Sequence, residues 1–168
     1  MSTYRRFYTE NVWFFTLLTH RRKPLLTHPQ VQTALRQAIM DCRHRYPFEI
    51  DAWVLLPEHL HCIWRLPDID LDYSRRWSII KRLCTQSCQN IAPDLLPLWQ
   101  KRFWAHAITS DEDYLHHMNY VHYNPVKHGL VKRVCEWEWS SFHRLVRSGV
   151  YTREWGSEVD IAEGTGKE

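Results

Sequence analysis

The tightest constraint on how this chain folds is Pro57-Glu58-His59-Leu60-His61-Cys62-Ile63-Trp64, which sets two imidazoles one residue apart inside an apolar, β-prone run. Side chains on a strand alternate between faces, so His59 and His61 project to one side while Leu60 enters the opposite layer. Two neutral imidazoles standing side by side can hold one divalent metal. The preceding run, from Phe48 to Leu56, is also β-prone, and Pro57-Glu58 between the runs reads as a short turn. The expectation is a hairpin whose second strand carries a metal-binding pair. A chain with 11 histidines also produces this spacing by chance, so the pair needs support from a second stretch.

At 168 residues the chain suits one domain with a real core, residues 1–147, followed by an acidic tail, residues 148–168. An apolar content of 44% excludes a disordered chain, and no apolar run is long enough to span a bilayer. The start, Met1 to Arg6, lacks the apolar core of a secretory signal. Five cysteines form no Cys-x-x-Cys pair, which argues against a disulfide framework or a zinc ribbon and for a reducing cytoplasm. The net charge of +3 is uneven: from Ser148 onward five acidic residues face two basic ones, leaving the rest of the chain strongly basic. A basic body suits a polyanion such as nucleic acid, and an acidic tail could compete for the same surface. Ordinary solvated charge fits the same composition.

Taken in order, Tyr4-Arg5-Arg6-Phe7-Tyr8 interleaves aromatic and basic residues that could stack on bases and neutralise phosphates. Val12 to Thr19 reads as a first strand. Thr27-His28-Pro29-Gln30 resembles a capping box ahead of a helix with Val31, Leu35, Ala38, Ile39 and Cys42 on one face. After the hairpin, Ser74 is the expected cap of a second helix with an apolar stripe at Trp77, Ile80, Cys84, Cys88 and Ile91. Arg75 and Arg82 share its polar side, which is either a solvated face or one turned toward DNA. Trp99 to Ile108 reads as a fourth strand. The order β-α-β-β-α-β predicts an α+β, ferredoxin-like antiparallel sheet with two helices on one side, its other side open to a further helix.

That further helix starts at Ser110-Asp-Glu-Asp113, a cap followed by early acids. Leu115, Met118, Val121 and His122 are expected to pack, while Asp113, His116, His117, Tyr120 and Asn124 line a different side. Tyr120 and Asn124 are one turn apart and can meet at one point. Pro125 disfavours the helical conformation at Asn124 and so places it in the last turn. A last short helix capped by Ser140 or Ser141 is expected to end near Gly149.

Together, His59-Leu60-His61 on a strand, Tyr120-x-x-x-Asn124 on a later helix and the element order resemble the single-tyrosine branch of the His-hydrophobic-His nuclease superfamily. The resemblance narrows to the REP-associated tyrosine transposases through Tyr4-Arg5-Arg6, Trp53 to His61, Arg102-Phe103-Trp104 and Tyr120-Val121-His122-Tyr123-Asn124-Pro125-Val126-Lys127-His128-Gly129. Mobile single-tyrosine transposases usually carry Gln four residues after the nucleophile; Asn124 is the REP-associated pattern. The resemblance implies a nuclease and strand transferase acting on single-stranded DNA hairpins of repetitive extragenic palindromes. It further implies a cytoplasmic, nucleoid-associated monomer that leaves a 5′-phosphotyrosyl enzyme and a free 3′-hydroxyl.

On that reading Tyr120 is the nucleophile and His59, His61 and Asn124 are the ligands of Mg²⁺ or Mn²⁺. Arg5, Arg6, Arg75, Arg82 and Lys127 are the candidate DNA contacts. A divalent ion suits the chemistry because a phosphodiester repels an incoming anion. Tyr114 and Tyr123 are rival nucleophiles on the same helix, and His106 is expected to be a structural residue. Two other functions fit parts of the pattern. One is a DNA-hairpin-binding regulatory or nucleoid protein without catalysis; the other is a zinc hydrolase, which needs a third His or a carboxylate near His59 and His61.

Overall fold

Strands that are apolar on both faces need cover on both faces, and the two central strands here are of that kind. The computed structural model describes residues 11–157. Its strands are β1 (Val12–Leu18), β2 (Glu49–Leu55), β3 (His59–Arg65) and β4 (Trp104–Ala107). Its α-helices are α1 (Pro29–Arg45), α2 (Tyr73–Ile91), α3 (Asp111–Lys127) and α4 (Phe142–Arg147). The sheet order is β2-β3-β1-β4 with every neighbouring pair antiparallel, which is the expected ferredoxin-like arrangement.

Alternation along the strands divides the core in two. Phe15 and Leu17 of β1 and Leu60, Cys62 and Trp64 of β3 pack with α1 and α2. Val12 and Phe14 of β1 and Ile63 of β3 pack with α3 on the other face. In the first layer Trp64 stacks on Trp77 of α2 at 4.1 Å between ring centroids, and Phe15 meets both rings edge-on. The second layer covers His59 and His61, which are fully buried.

Local chemistry set several boundaries differently from the sequence expectation. Pro29 does open α1, but the cap is His28, whose Nδ1 accepts from the Gln30 N–H. Helix α2 begins one residue before Ser74 because the Asp72 carboxylate, a stronger acceptor, takes the Arg75 N–H at 2.8 Å. Strand β4 is only Trp104–Ala107; Trp99 forms an isolated bridge with Thr19, and the chain leaves the sheet between them. Ile91 at the end of the α2 stripe and Leu115 on α3 are more than half exposed, since neither has a layer above it. Tyr114 and His117 take the buried side of α3 instead. Pro125 lies inside α3, which continues to Lys127 and ends with Gly129 at φ 69°. The Gly129 and Leu130 N–H groups close that end on the carbonyls of Val126 and Pro125.

One residue absent from the sequence reading is Arg76, which is fully buried beside the exposed Arg75. Its guanidinium donates to the carbonyls of Tyr46, Pro47 and Asp72 and to Asp70, tying the loop after α1 to the start of α2.

The outer edge of β2 is sealed by the segment leading into α4. Leu55 N–H donates to Trp139 O, Ser141 N–H to Trp53 O, and Arg144 to the carbonyls of Ile50 and Asp51. The Ser141 hydroxyl also meets Nε2 of buried His122 at 2.7 Å, while His122 Nδ1 donates to Met118 O. Tyr151, beyond α4, bonds to His122 and Asn119, so the chain after residue 148 still packs on α3. No described helix is long and apolar enough to cross a membrane.

Burial holds His122 far below the usual imidazole range, at about 3, and nearby Arg144 adds to this against the pull of the Met118 carbonyl. The unfolded chain therefore takes up a proton below about pH 6.5 that the folded chain refuses, so stability is lost as pH falls through that window. Lowering the pH to about 5 should cost about 2 kcal/mol through this group alone. Urea unfolding of the wild type and His122→Gln checks it: the variant should lose less stability on acidification, and equal losses would reject the account.

Candidate active site

The antiparallel register places Thr16 opposite His61 and Leu18 opposite His59. Thr16 Oγ1 lies 2.8 Å from His61 Nδ1, and the Glu58 carboxylate lies 3.1 Å from His59 Nδ1. A carboxylate only accepts, so the proton of His59 sits on Nδ1 and its Nε2 is the ligating nitrogen. Both rings are thus anchored at Nδ1, the arrangement that orients imidazoles for a metal. They stand 4.8 Å apart between centroids.

Helix α3 crosses above this pair. His59 Nε2 lies 3.4 Å from Asn124 Oδ1, and the Tyr120 ring stands edge-on to His61 at 5.2 Å. Donors bonded to one octahedral ion at about 2.1 Å lie about 3 Å from each other, so this separation is close to that of two ligands sharing a cation. Two imidazoles and an amide oxygen leave positions for phosphate and water oxygens, which suits Mg²⁺ or Mn²⁺ better than a closed zinc site. The residues therefore fit the ion expected from sequence.

Among the tyrosines of α3 the structure makes a clear distinction. Tyr114 is buried and donates its O–H to Asp51 at 2.8 Å, in a group completed by the Arg65–Asp51 ion pair. Tyr123 is half-buried on the side facing Gly156. Tyr120 meets His61, and its hydroxyl accepts from Lys127 Nζ at 3.2 Å, the ammonium also lying 4.9 Å from its ring centre. Lys127, expected from sequence as a DNA contact, is thus placed on the candidate nucleophile. Tyr120 as a whole residue is only 2% exposed.

The other expected contacts are scattered. Arg5 and Arg6 lie outside the described residues, as does the acidic stretch from Glu158. Arg75 pairs with Asp70 at 2.7 Å and lies over Tyr46, while Arg82 reaches Gln86. A groove of about 600 Å³ at the β2 edge collects Arg36 and Arg43 of α1 with Arg144 and Arg147 of α4, against Trp53. Sequence reasoning missed it, although the seven-residue and three-residue spacings put each pair on one helix face. Thr16, Glu58 and His128, whose ring lies 5.0 Å from His59, were also missed. Glu58 was legible as the immediate neighbour of His59, whereas Thr16 needed the strand register.

His106 is hydrogen-bonded to Asp113 at 2.9 Å. With His117 these residues form a second group whose donor atoms lie within 4.8 Å of one another. Phe14 stands between the two groups, its ring stacked on His61 and tilted against His117.

A ferredoxin-like sheet whose strand imidazoles face a helix-borne tyrosine is consistent with the family comparison, in which the family described as "Transposase IS200 like" matches residues 11–124, from the start of β1 to Asn124. The chain belongs to that family, and so to a class of DNA-processing enzymes. Within it the chain falls among the REP-associated tyrosine transposases, being 50% identical over 167 residues to the REP-associated tyrosine transposase of Escherichia coli (strain K12), across 98% of this chain and 97% of the relative. A relative from Haemophilus influenzae is 38% identical over 174 residues, across 96% of this chain and 97% of its own length. A solved structure of a REP-associated tyrosine transposase bound to a REP hairpin is 46% identical and superposes with a TM-score of 0.84, covering 100% of this chain and 98% of that one.

If the Thr16 hydroxyl orients His61 for a cation, Thr16→Val should weaken Mn²⁺ binding about 10- to 100-fold with the fold intact. Calorimetric titration of Mn²⁺ beside circular dichroism measures both, and an unchanged affinity would show that the hydroxyl is dispensable.

Proposed function

We propose that this protein cleaves and rejoins single-stranded DNA at hairpins of repetitive extragenic palindromes, with Tyr120 as nucleophile. The observation that carries the reading is the meeting of Tyr120 with His61 at 5.2 Å while Asn124, one turn on, reaches His59 at 3.4 Å. The hairpin as partner is supported by the relative solved with a REP hairpin, which this chain matches over its whole length. On the same reading the protein acts as a monomer, as the resemblance to the REP-associated branch implies.

His59, His61 and Asn124 would hold Mg²⁺ or Mn²⁺. An ion held there would polarise the non-bridging oxygens of the scissile phosphate and hold it in line. The remaining work falls to the chain's own groups. Tyr120 Oη forms the new bond to phosphorus, the bond from phosphorus to O3′ breaks, and O3′ leaves as a hydroxyl while the phenol gives up its proton. The product is a 5′-phosphotyrosyl enzyme, and a 3′-hydroxyl from another strand can reverse the step. A phenol with an ordinary pKa of about 10 is a poor nucleophile at neutral pH. The Lys127 ammonium stabilises the oxygen anion that forms. Two unit charges at that separation attract by about 5 kcal/mol at an effective dielectric of about 20, and by less here because solvent reaches Lys127.

Incubation with a short hairpin oligonucleotide and Mn²⁺ should give a protein–DNA species that survives denaturation. Tyr120→Phe should abolish it while leaving hairpin binding intact. An adduct that persists in the variant would move the nucleophile elsewhere; hairpin binding by the wild type with no adduct would favour the non-catalytic binder. Lys127→Met should slow adduct formation about 10-fold at saturating DNA, roughly 1.4 kcal/mol of transition-state stabilisation. An effect confined to DNA affinity would return Lys127 to the role of a phosphate contact.

A further inference from the structure

Three donors outside the proposed active site meet where β4 faces the first turns of α3. His106 Nε2 lies 2.9 Å from Asp113 Oδ2, and His117 Nδ1 lies 3.0 Å from Asp113 Oδ1. The two imidazoles stack at 4.6 Å with an interplanar angle of 19°, one on each side of the carboxylate. His106 sits directly across from Phe14 in the β1–β4 register, and Phe14 separates this cluster from His61.

We propose that His106, Asp113 and His117 form a second divalent-cation site, of the zinc class, that clasps the start of α3 to β4. Donors around a tetrahedral ion at about 2.0 Å lie about 3.3 Å apart, and the two imidazole–carboxylate separations are already within a few tenths of an ångström of that. Two imidazoles and one carboxylate are the donor set that zinc and cobalt prefer; Mg²⁺ keeps its water and favours oxygen. The His106 side chain is 35% exposed, against 8% for His117, so the cluster has an entry path and room for water as a fourth ligand.

Two features of the cluster bear on whether a cation fits. Asp113 sits in the first turn of α3, where the helix end carries about half a positive charge. Asp111, Glu112 and Asp113 in that turn outweigh it. Asp113 Oδ2 also accepts from the N–H of Thr109, and Oγ1 of Thr109 lies 3.4 Å away, which orients the carboxylate toward the rings. Burial holds His117 below the usual imidazole range, and so in the neutral form that can ligate. The carboxylate only accepts, and His117 Nδ1 also lies 2.9 Å from the Asp113 carbonyl oxygen, so without a cation both facing nitrogens carry their ring proton; uptake moves each proton to the ring's other nitrogen and replaces these bonds with bonds to the ion.

The location gives the clasp a purpose. His117 is three residues before Tyr120, and β4 is a short edge strand. A cation there fixes the nucleophile's helix to the sheet at a point independent of His59 and His61.

Zinc titration of the full-length protein without DNA tests it, read by calorimetry and thermal unfolding, with Co²⁺ absorption as the spectroscopic check. The wild type should take up one equivalent at the cluster, in addition to any zinc held by the active-site imidazoles. His106→Gln, on a one-third-exposed edge position, should take up one equivalent fewer than the wild type and lose the zinc-induced rise in melting temperature. Asp113→Asn should behave the same way, and it decides the matter if His106→Gln does not fold. His61→Asn should keep the cluster equivalent and the rise. Equal stoichiometry and equal thermal shifts in the wild type and in the folded cluster variants would overturn the proposal and leave a hydrogen-bonded trio.

Discussion

The pairing of β1 with β3 controls everything that follows, because it decides both which way the imidazoles face and what lies behind them. Thr16 opposite His61 supplies the hydroxyl that orients the ring, and a shift of one residue would turn both histidines into the α1–α2 layer. There they would displace Leu60, Cys62 and Trp64 from a close-packed core. The apolar pattern of β3 thus enforces the register, and the register enforces the chemistry. Both imidazoles are fully buried, and Thr16 and Glu58 hold them at Nδ1.

The second requirement is a helix held at one height above that strand. Helix α3 meets it through polar ties at intervals along its length: Tyr114 to Asp51, His122 to Ser141, and Asn124 to His59. These ties are directional, so they fix rotation about the helix axis as well as distance. That rotation distinguishes Tyr120 from Tyr114 and Tyr123. Membership of a DNA-processing transposase family agrees with this geometry without depending on any one of these bonds.

Much of this was legible in the sequence. The strand-borne histidine pair, the tyrosine with Asn one turn later, and the β-α-β-β-α-β order all rest on strong periodicities, although the fourth strand is four residues long where the sequence suggests ten. What failed was set by tertiary context. Leu115 looked like core because it is apolar, but its position on α3 points to solvent, while His117 and Tyr114 are buried by partners remote in sequence. Ser74 lost its capping role to Asp72, a competition between two good caps that local sequence leaves open. Arg76 could not be told from Arg75 without knowing that two carbonyls after α1 end beside it. Lys127 is a candidate DNA contact from sequence, and the helix geometry places its ammonium on the Tyr120 hydroxyl.

The sealed margin of β2 has a consequence for how the molecule behaves in company. An open strand edge with buried, β-branched neighbours invites another copy to continue the sheet, and such edges seed aggregation. Here the backbone donors and acceptors of β2 are spent on Trp139, Ser141 and Arg144, and the opposite margin, β4, is four residues long. Copies of the protein brought close together can therefore sit side by side without zippering into one another through β2.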